Sequence, residues 1–245
     1  VKRIVYVLIV VLIISGCSSN KAFKQIPNAE KLKIADQYFE QGKYRKAVPY
    51  YEAIIFDKGT PQLERAQKRL ADCFFYQNKF TEARFEYQEL IRLFRDAKNA
   101  GYAHFQIGRC YFEESLSAHY TQTETRNAIA AFQTFIEKFP FDEKKKEAIE
   151  YIQKCQYKLL EKKYYNGYTY YKMFDYPAAL MYFDEIIALG NNNEVDMLSL
   201  YYSARIFIYR LDQENAELMR DQLQNKYPDS KYTKKINLLM QRKFK

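Results

Sequence analysis

The chain has 245 residues, enough for one domain or one continuous repeat array, and its 48% apolar content excludes wholesale disorder. Seven Gly and six Pro are too few for an all-β fold with many tight turns, and they favour long helices. The formal charge is +9, but no long Lys/Arg run carries it; Lys144-Lys145-Lys146 is diluted by Asp142, Glu143 and Glu147, which points to solvated helix faces and away from nucleic acid.

Lys2 and Arg3 precede an apolar stretch, Ile4 to Ile14. A membrane-spanning helix needs ~20 residues, so this stretch reads as the core of a signal peptide. Ile14-Ser15-Gly16-Cys17 then resembles the bacterial lipobox, in which an aliphatic and two small residues precede a cysteine. That resemblance implies a signal peptide over 1–16, cleavage before Cys17, and a lipidated N-terminus and tether over 17–27. Cys17 would carry a covalent diacylglyceryl group and an N-acyl chain; no other cofactor is expected. Two or three acyl chains anchor a protein stably where one does not. Ser18 follows the cysteine without an acidic residue beside it, which in similar lipoproteins implies the periplasmic face of the outer membrane.

From residue 28 to residue 245 the chain reads as repeats. Ala35-x-x-Tyr38, Gly42-x-Tyr44, Ala47 and Tyr51 recur 36 residues later as Ala71-x-x-Phe74, Asn78-x-Phe80, Ala83 and Tyr87. Gly108-x-x-Tyr111 leads to Ala128 and Phe132, Gly167-x-x-Tyr170 to Ala179 and Phe183, and Ala204-x-x-Phe207 to Ala216. In the third copy an insertion of eight residues falls between Glu113 and Ala128. Small residues let the two helices of a hairpin approach, and aromatics at helical spacing fill the seam. Gly42 and Asn78 suit turns that need positive φ, while Pro140 and Pro228 stop helices. Asp142 to Leu159 is expected to run into the fourth hairpin as one long helix. These residues resemble the tetratricopeptide repeat, which implies an all-α, right-handed superhelical solenoid of about five helical hairpins. Lys31, Gln67, His104 and Lys163 stand where that repeat usually has a large apolar residue. Gln213 and Arg220 at aromatic positions mark the fifth copy as a polar cap.

No GxSxG, HExxH, P-loop or GxGxxG is present, and two separate histidines, His104 and His119, do not argue for a metal or a base. The chain is not expected to be an enzyme. Cys73, Cys110 and Cys155 are odd in number and read as buried thiols. Recognition remains. In tetratricopeptide arrays the first helices line a groove. Carrying the register over gives the candidate groove residues Asp36 and Phe39, Asp72 and Phe75, Arg109 and Phe112, Tyr168 and Tyr171, and Arg205 with Ile208. Rings at one level and charges at another would suit an extended peptide.

A lipobox followed by five such repeats, with an insertion in the third, resembles the BamD family of outer-membrane β-barrel assembly lipoproteins. The stretches that carry the likeness are Asp36 to Ala47, Arg126 to Phe132, Leu160 to Ala179 and Tyr227 to Tyr232. The resemblance implies a scaffold that receives unfolded outer-membrane protein precursors and docks onto a BamA-type barrel subunit. In the family a basic residue of the last hairpin's first helix makes that second contact; the aligned position here is Ile208, with Arg205 and Arg210 nearby. The alternative is another repeat lipoprotein, such as a pilus or secretion pilotin or a cell-envelope coordinator.

Overall fold

A computed structural model describes residues 25–94 and 99–244. The lipobox, Cys17 and the signal segment lie outside the described residues. Among the described residues there are eleven helices and no strand. Helices α1 (Asn28–Glu40) and α2 (Tyr44–Phe56) form the first hairpin, and α3 (Leu63–Tyr76) and α4 (Phe80–Leu93) the second. Helices α5 (Asn99–Glu114) and α6 (Thr123–Lys138) form the third, α7 (Lys145–Lys172) and α8 (Tyr176–Ile187) the fourth. Helices α9 (Glu194–Tyr209) and α10 (Gln213–Lys226) form the fifth, and α11 (Lys231–Lys243) follows.

The chain divides into two compact units. Among the described residues the first runs to Glu113 and takes in Ala131–Lys145; the second holds Glu114–Ala130 and Lys146 onward. In the first unit Ala35, Ala47, Tyr51 and Ile54 of the first hairpin pack with Leu70 and Cys73 of α3. Ala71, Ala83, Tyr87 and Leu90 pack in turn with Ala103 and Cys110 of α5. In the second unit Tyr164, Ala179, Phe183 and Ile186 take Val195 and Ile206 from α9. No hairpin closes its core alone, which is why such repeats need neighbours.

The expected long helix is α7, with 28 residues. The expected insertion is the segment Ser115 to Gln122, between α5 and α6. It is pinned to α7: Lys158 Nζ donates to Ser115 Oγ at 2.7 Å, and Lys162 Nζ to the His119 carbonyl at 3.0 Å. The His119 ring lies 3.9 Å from that of Tyr165. Cys73, Cys110 and Cys155 are buried thiols in no disulfide.

At the usual apolar position the chain uses polar links to the partner helix. Gln67 donates to the Glu86 carbonyl and carboxylate, at 3.1 and 2.6 Å. Lys163 pairs with Glu185 at 2.6 Å, and His104 packs on Phe139. The fifth hairpin is not the polar end that Gln213 and Arg220 suggest. Ser230 caps α11 by accepting from the Thr233 N–H at 3.0 Å, and α11 buries Ile236 and Met240 against Leu200, Ala216 and Leu223. The cap is therefore a helix rather than a surface.

Gly42 and Asn78 turn their hairpins at φ of 70° and 58°, as their chemistry requires. The same register position in the fourth and fifth hairpins holds Phe174 and Leu211, at 62° and 60°. For side chains of that size the left-handed conformation costs roughly 1–2 kcal/mol each.

Candidate functional site

The first helices place the candidate residues differently in the two units. In the first unit Asp36 accepts a hydrogen bond from Tyr51 at 2.7 Å and pairs with Arg65 at 2.6 Å. One repeat later Asp72 Oδ1 accepts from Tyr87 at 2.7 Å and from Tyr102 at 2.8 Å. The pattern is the same twice: a carboxylate ties its own second helix to the next first helix. Asp72 is only 3% exposed. Burial raises its pKa, against the two phenol hydrogen bonds, and burial beside Asp72 pushes the Tyr87 hydroxyl well above its ordinary range. Asp72 is thus a structural clasp, and its assignment to a displayed groove is corrected.

Phe75 is corrected on the same ground. It is buried, with Phe80 5.5 Å away and the Arg109 guanidinium 4.6 Å above its ring. Phe39 is half-buried between Tyr44 at 5.3 Å and Tyr76 at 5.9 Å, under the Arg69 guanidinium at 4.3 Å. Arg109 Nη1 donates to Gln106 at 3.1 Å, and Gln106 donates to Tyr102 at 2.9 Å, so this arginine belongs to the same network as Asp72. Phe112 is half-buried on α5.

In the second unit Tyr168, Tyr171 and Arg205 come together. They line a cavity of about 290 Å³ with Lys172, Phe174, Tyr176, Tyr202 and Tyr209. Helix α7 supplies Tyr168 and Tyr171, and α9 supplies Tyr202, Arg205 and Tyr209. Tyr202 is the hub, 5.1 Å from Tyr168 and 4.8 Å from Tyr171. The Arg205 guanidinium lies 5.6 Å from the ring centroids of both Tyr171 and Tyr201, and Nη2 donates to Tyr209 Oη at 3.2 Å. Its Nε–H is buried without an acceptor. Burial pushes the Tyr171 hydroxyl up to about 12, so it stays a neutral donor at physiological pH. A guanidinium held among rings at the wall of a cavity can take a carboxylate through the part of it that stays exposed, while the rings cover an apolar neighbour. Tyr202, Tyr209 and Tyr176 were not among the sequence candidates; the signal that could have found them is the tyrosine density on α7 and the Tyr201-Tyr202 pair facing it.

Ile208, the aligned position for the family's basic contact, is buried in the core of the last hairpin. It also floors a second cavity of about 160 Å³ with Arg205, Tyr209, Leu239, Arg242 and Lys243. No group of His, Cys, Asp or Glu among the described residues is placed to hold a metal ion. No helix among them is long and apolar enough to cross a membrane.

Residues 32–100 and 102–142 match tetratricopeptide-repeat family profiles. No curated protein matches the chain by sequence. Among solved structures the chain is similar to the TPR2AB-domain:pHSP90 complex of yeast Sti1, with 13% identity, 88% of this chain and 83% of that one covered, and a TM-score of 0.47. It is similar to a tetratricopeptide repeat protein of Parabacteroides merdae, with 15% identity, 88% and 74% covered and a TM-score of 0.38. It is also similar to pilF of Pseudomonas aeruginosa, with 17% identity, 86% and 96% covered and a TM-score of 0.30.

Proposed function

Because residues 32–142 carry tetratricopeptide repeats, a fold that presents surfaces to protein partners, we propose that this protein is a lipid-anchored adaptor of outer-membrane β-barrel assembly. In this reading Cys17 carries the anchor on the periplasmic face. The first unit meets unfolded precursors, and the second meets a BamA-type barrel subunit. The lipobox, the order of the repeats and the third-repeat insertion support the reading.

The observation that carries it is the tyrosine cavity around Arg205. The family uses a basic residue on the first helix of the last hairpin, and Ile208, at the aligned position, is buried. Arg205 lies on the same helix, is half-buried among rings, and has an Nε–H with no acceptor. It supplies the charge that Ile208 lacks. The mechanism is binding: Arg205 takes a carboxylate, the rings cover the neighbouring side chain, and the anchor raises the local concentration of the bound segment.

The test is affinity capture from detergent-solubilised envelopes with the native chain and with Arg205→Ala. A large β-barrel protein with periplasmic domains should be recovered. Arg205→Ala should lower its capture roughly thirtyfold, as for a central interface arginine, with unchanged circular dichroism. Recovery of secretins or pilus proteins would transfer the chain to the pilotin class, and equal capture by both forms would remove Arg205 from the interface.

A further inference from the structure

The tyrosine cavity and the smaller cavity beside it share two residues. Arg205 and Tyr209 line both, so they form the wall between them, and the hydrogen bond from Arg205 Nη2 to Tyr209 Oη braces that wall. The smaller cavity is made by two helix faces with one spacing. Helix α9 gives Arg205, Ile208 and Tyr209, at i, i+3 and i+4; α11 gives Leu239, Arg242 and Lys243, again at i, i+3 and i+4. Each face carries apolar and cationic side chains together. Ile208 belongs to the core of the last hairpin and Leu239 packs against it, so the apolar floor is held from below. Arg205, Arg242 and Lys243 bring three positive charges and no carboxylate lines the cavity. Among the described residues none of the three forms an ion pair.

We infer that the two cavities read one extended acidic segment of the partner, in the order ring-covered residue, carboxylate, aliphatic side chain, carboxylate. The first carboxylate meets Arg205, the aliphatic side chain enters the smaller cavity over Ile208 and Leu239, and the second carboxylate meets Arg242 and Lys243. The inference rests on the reading of Arg205 as a carboxylate acceptor and adds what must stand beside that carboxylate. Size supports it. The smaller cavity holds about 160 Å³. An apolar cavity of ~150 Å³ takes one benzene-sized group, so there is room for one side chain and none for a helix. Charge supports it too. An apolar side chain alone would leave three cations without a counter-charge, and a basic segment would be repelled. The shared wall sets the order, because a carboxylate on Arg205 stands between the two cavities. In an extended chain alternate side chains share a face, roughly 7 Å apart, so the recognised positions are every second residue. Ile208, where the family resemblance implies a basic contact, supplies the floor instead.

The probe is the acetylated peptide amide Tyr-Ser-Glu-Ser-Leu-Ser-Glu, with its reverse, since the cavities do not fix chain direction. Each is titrated calorimetrically into the full chain in detergent. Saturable binding of one of the two is expected. Replacing its leucine by alanine should weaken binding roughly tenfold, and replacing it by lysine should weaken it further. Arg242→Gln with Lys243→Gln should cost roughly three- to tenfold and flatten the salt dependence, with Arg205 untouched. Leu239→Phe fills the cavity and should erase the preference for leucine over alanine. The comparison of the two peptides on the native chain does not depend on that variant's folding. Equal binding of the leucine and alanine peptides overturns the inference, as does no binding of either leucine peptide. A dimer of the native chain that the peptide does not dissociate would put a second copy on the cavity and overturn it as well. The assembly role fails separately: capture of secretins with the leucine preference intact removes that role and leaves the inference standing. Capture of a barrel protein through Arg205, with leucine and alanine peptides bound equally, does the reverse.

Discussion

The first two hairpins and the next two solve one packing problem in two ways. In the first pair the small residue is Ala35 or Ala71, followed by Asp36 or Asp72, and the second helix answers with Tyr51 or Tyr87, fifteen residues on from the aspartate. The phenol reaches past the alanine to the carboxylate. In the third and fourth hairpins the small residue is Gly108 or Gly167, no aspartate follows, and the second helix supplies Phe132 or Phe183. With no hydroxyl to tether it, the ring drops onto the glycine. A Cβ on Gly108 would meet the Phe132 ring at 2.6 to 2.9 Å, and one on Gly167 would meet Phe183 at 2.9 Å. Ala, Asp and Tyr therefore go together, as do Gly and Phe. The chain swaps them as sets because a member of one set does not fit the other.

The strongest break of this comparison is Gly108→Ala, which puts into the third hairpin the small residue that the first two accept. Phe132 is fully buried, so the clash cannot be relieved by swinging the ring into solvent. The variant should lose about 2–3 kcal/mol in urea unfolding. Adding Phe132→Leu should recover part of the loss, since the shorter side chain leaves room for the methyl. An unchanged midpoint for Gly108→Ala would mean that the glycine and the ring are not a set.

Tyr87→Phe sharpens the other side. It leaves the buried Asp72 with Tyr102 as its remaining phenol donor, and should cost about 1–3 kcal/mol. Tyr51→Phe should cost less, about 0.5–1.5 kcal/mol, because the Asp36 side chain, 13% exposed, is not fully buried and keeps Arg65. Equal losses at the two sites would show that burial of the carboxylate does not set the strength of the clasp.

Much of this was legible in the residues. The small residues fixed the hairpins, Gly42 and Asn78 announced their turns, and the insertion and the long helix fell where the spacing put them. The clasp was legible too, in two Asp/Tyr pairs at equal separation, but first-helix register alone sent Asp72 and Phe75 to a surface. Register says which way a side chain starts; it does not say that the next helix supplies Tyr102 or Arg109 to cover it. Phe174 and Leu211 were hidden for the opposite reason. Turn chemistry expects Gly or Asn there, so a large apolar side chain reads as helix interior. Helix α11 was missed because its apolar residues, Ile236 and Met240, are sparse among polar ones, and their burial depends on the hairpin before them. Of the site, Tyr168, Tyr171 and Arg205 were named from register, whereas Tyr202 became its centre only through tertiary packing.

The smallest effect expected concerns His104, the third hairpin's replacement for an apolar residue. Burial holds its imidazole below the ordinary value of 6.5, and the Lys138 charge adds to the effect. The unfolded chain therefore takes up this proton at a higher pH than the folded chain does. As pH falls through about 6.5 the unfolded state gains a proton that the folded state resists, and stability declines until the folded pKa is passed. The contribution is whole above the unfolded value and lost below it, opposite to a histidine that gains an acidic partner. His104→Gln keeps the size and removes the titration. Urea midpoints measured from pH 7.5 down to pH 5 should fall for the native chain more than for the variant, by a fraction of a kcal/mol for a half-buried ring. Gln67, at the same register position in the second hairpin, does not titrate and gives the internal comparison: a decline that survives His104→Gln would have to come from carboxylates elsewhere in the chain.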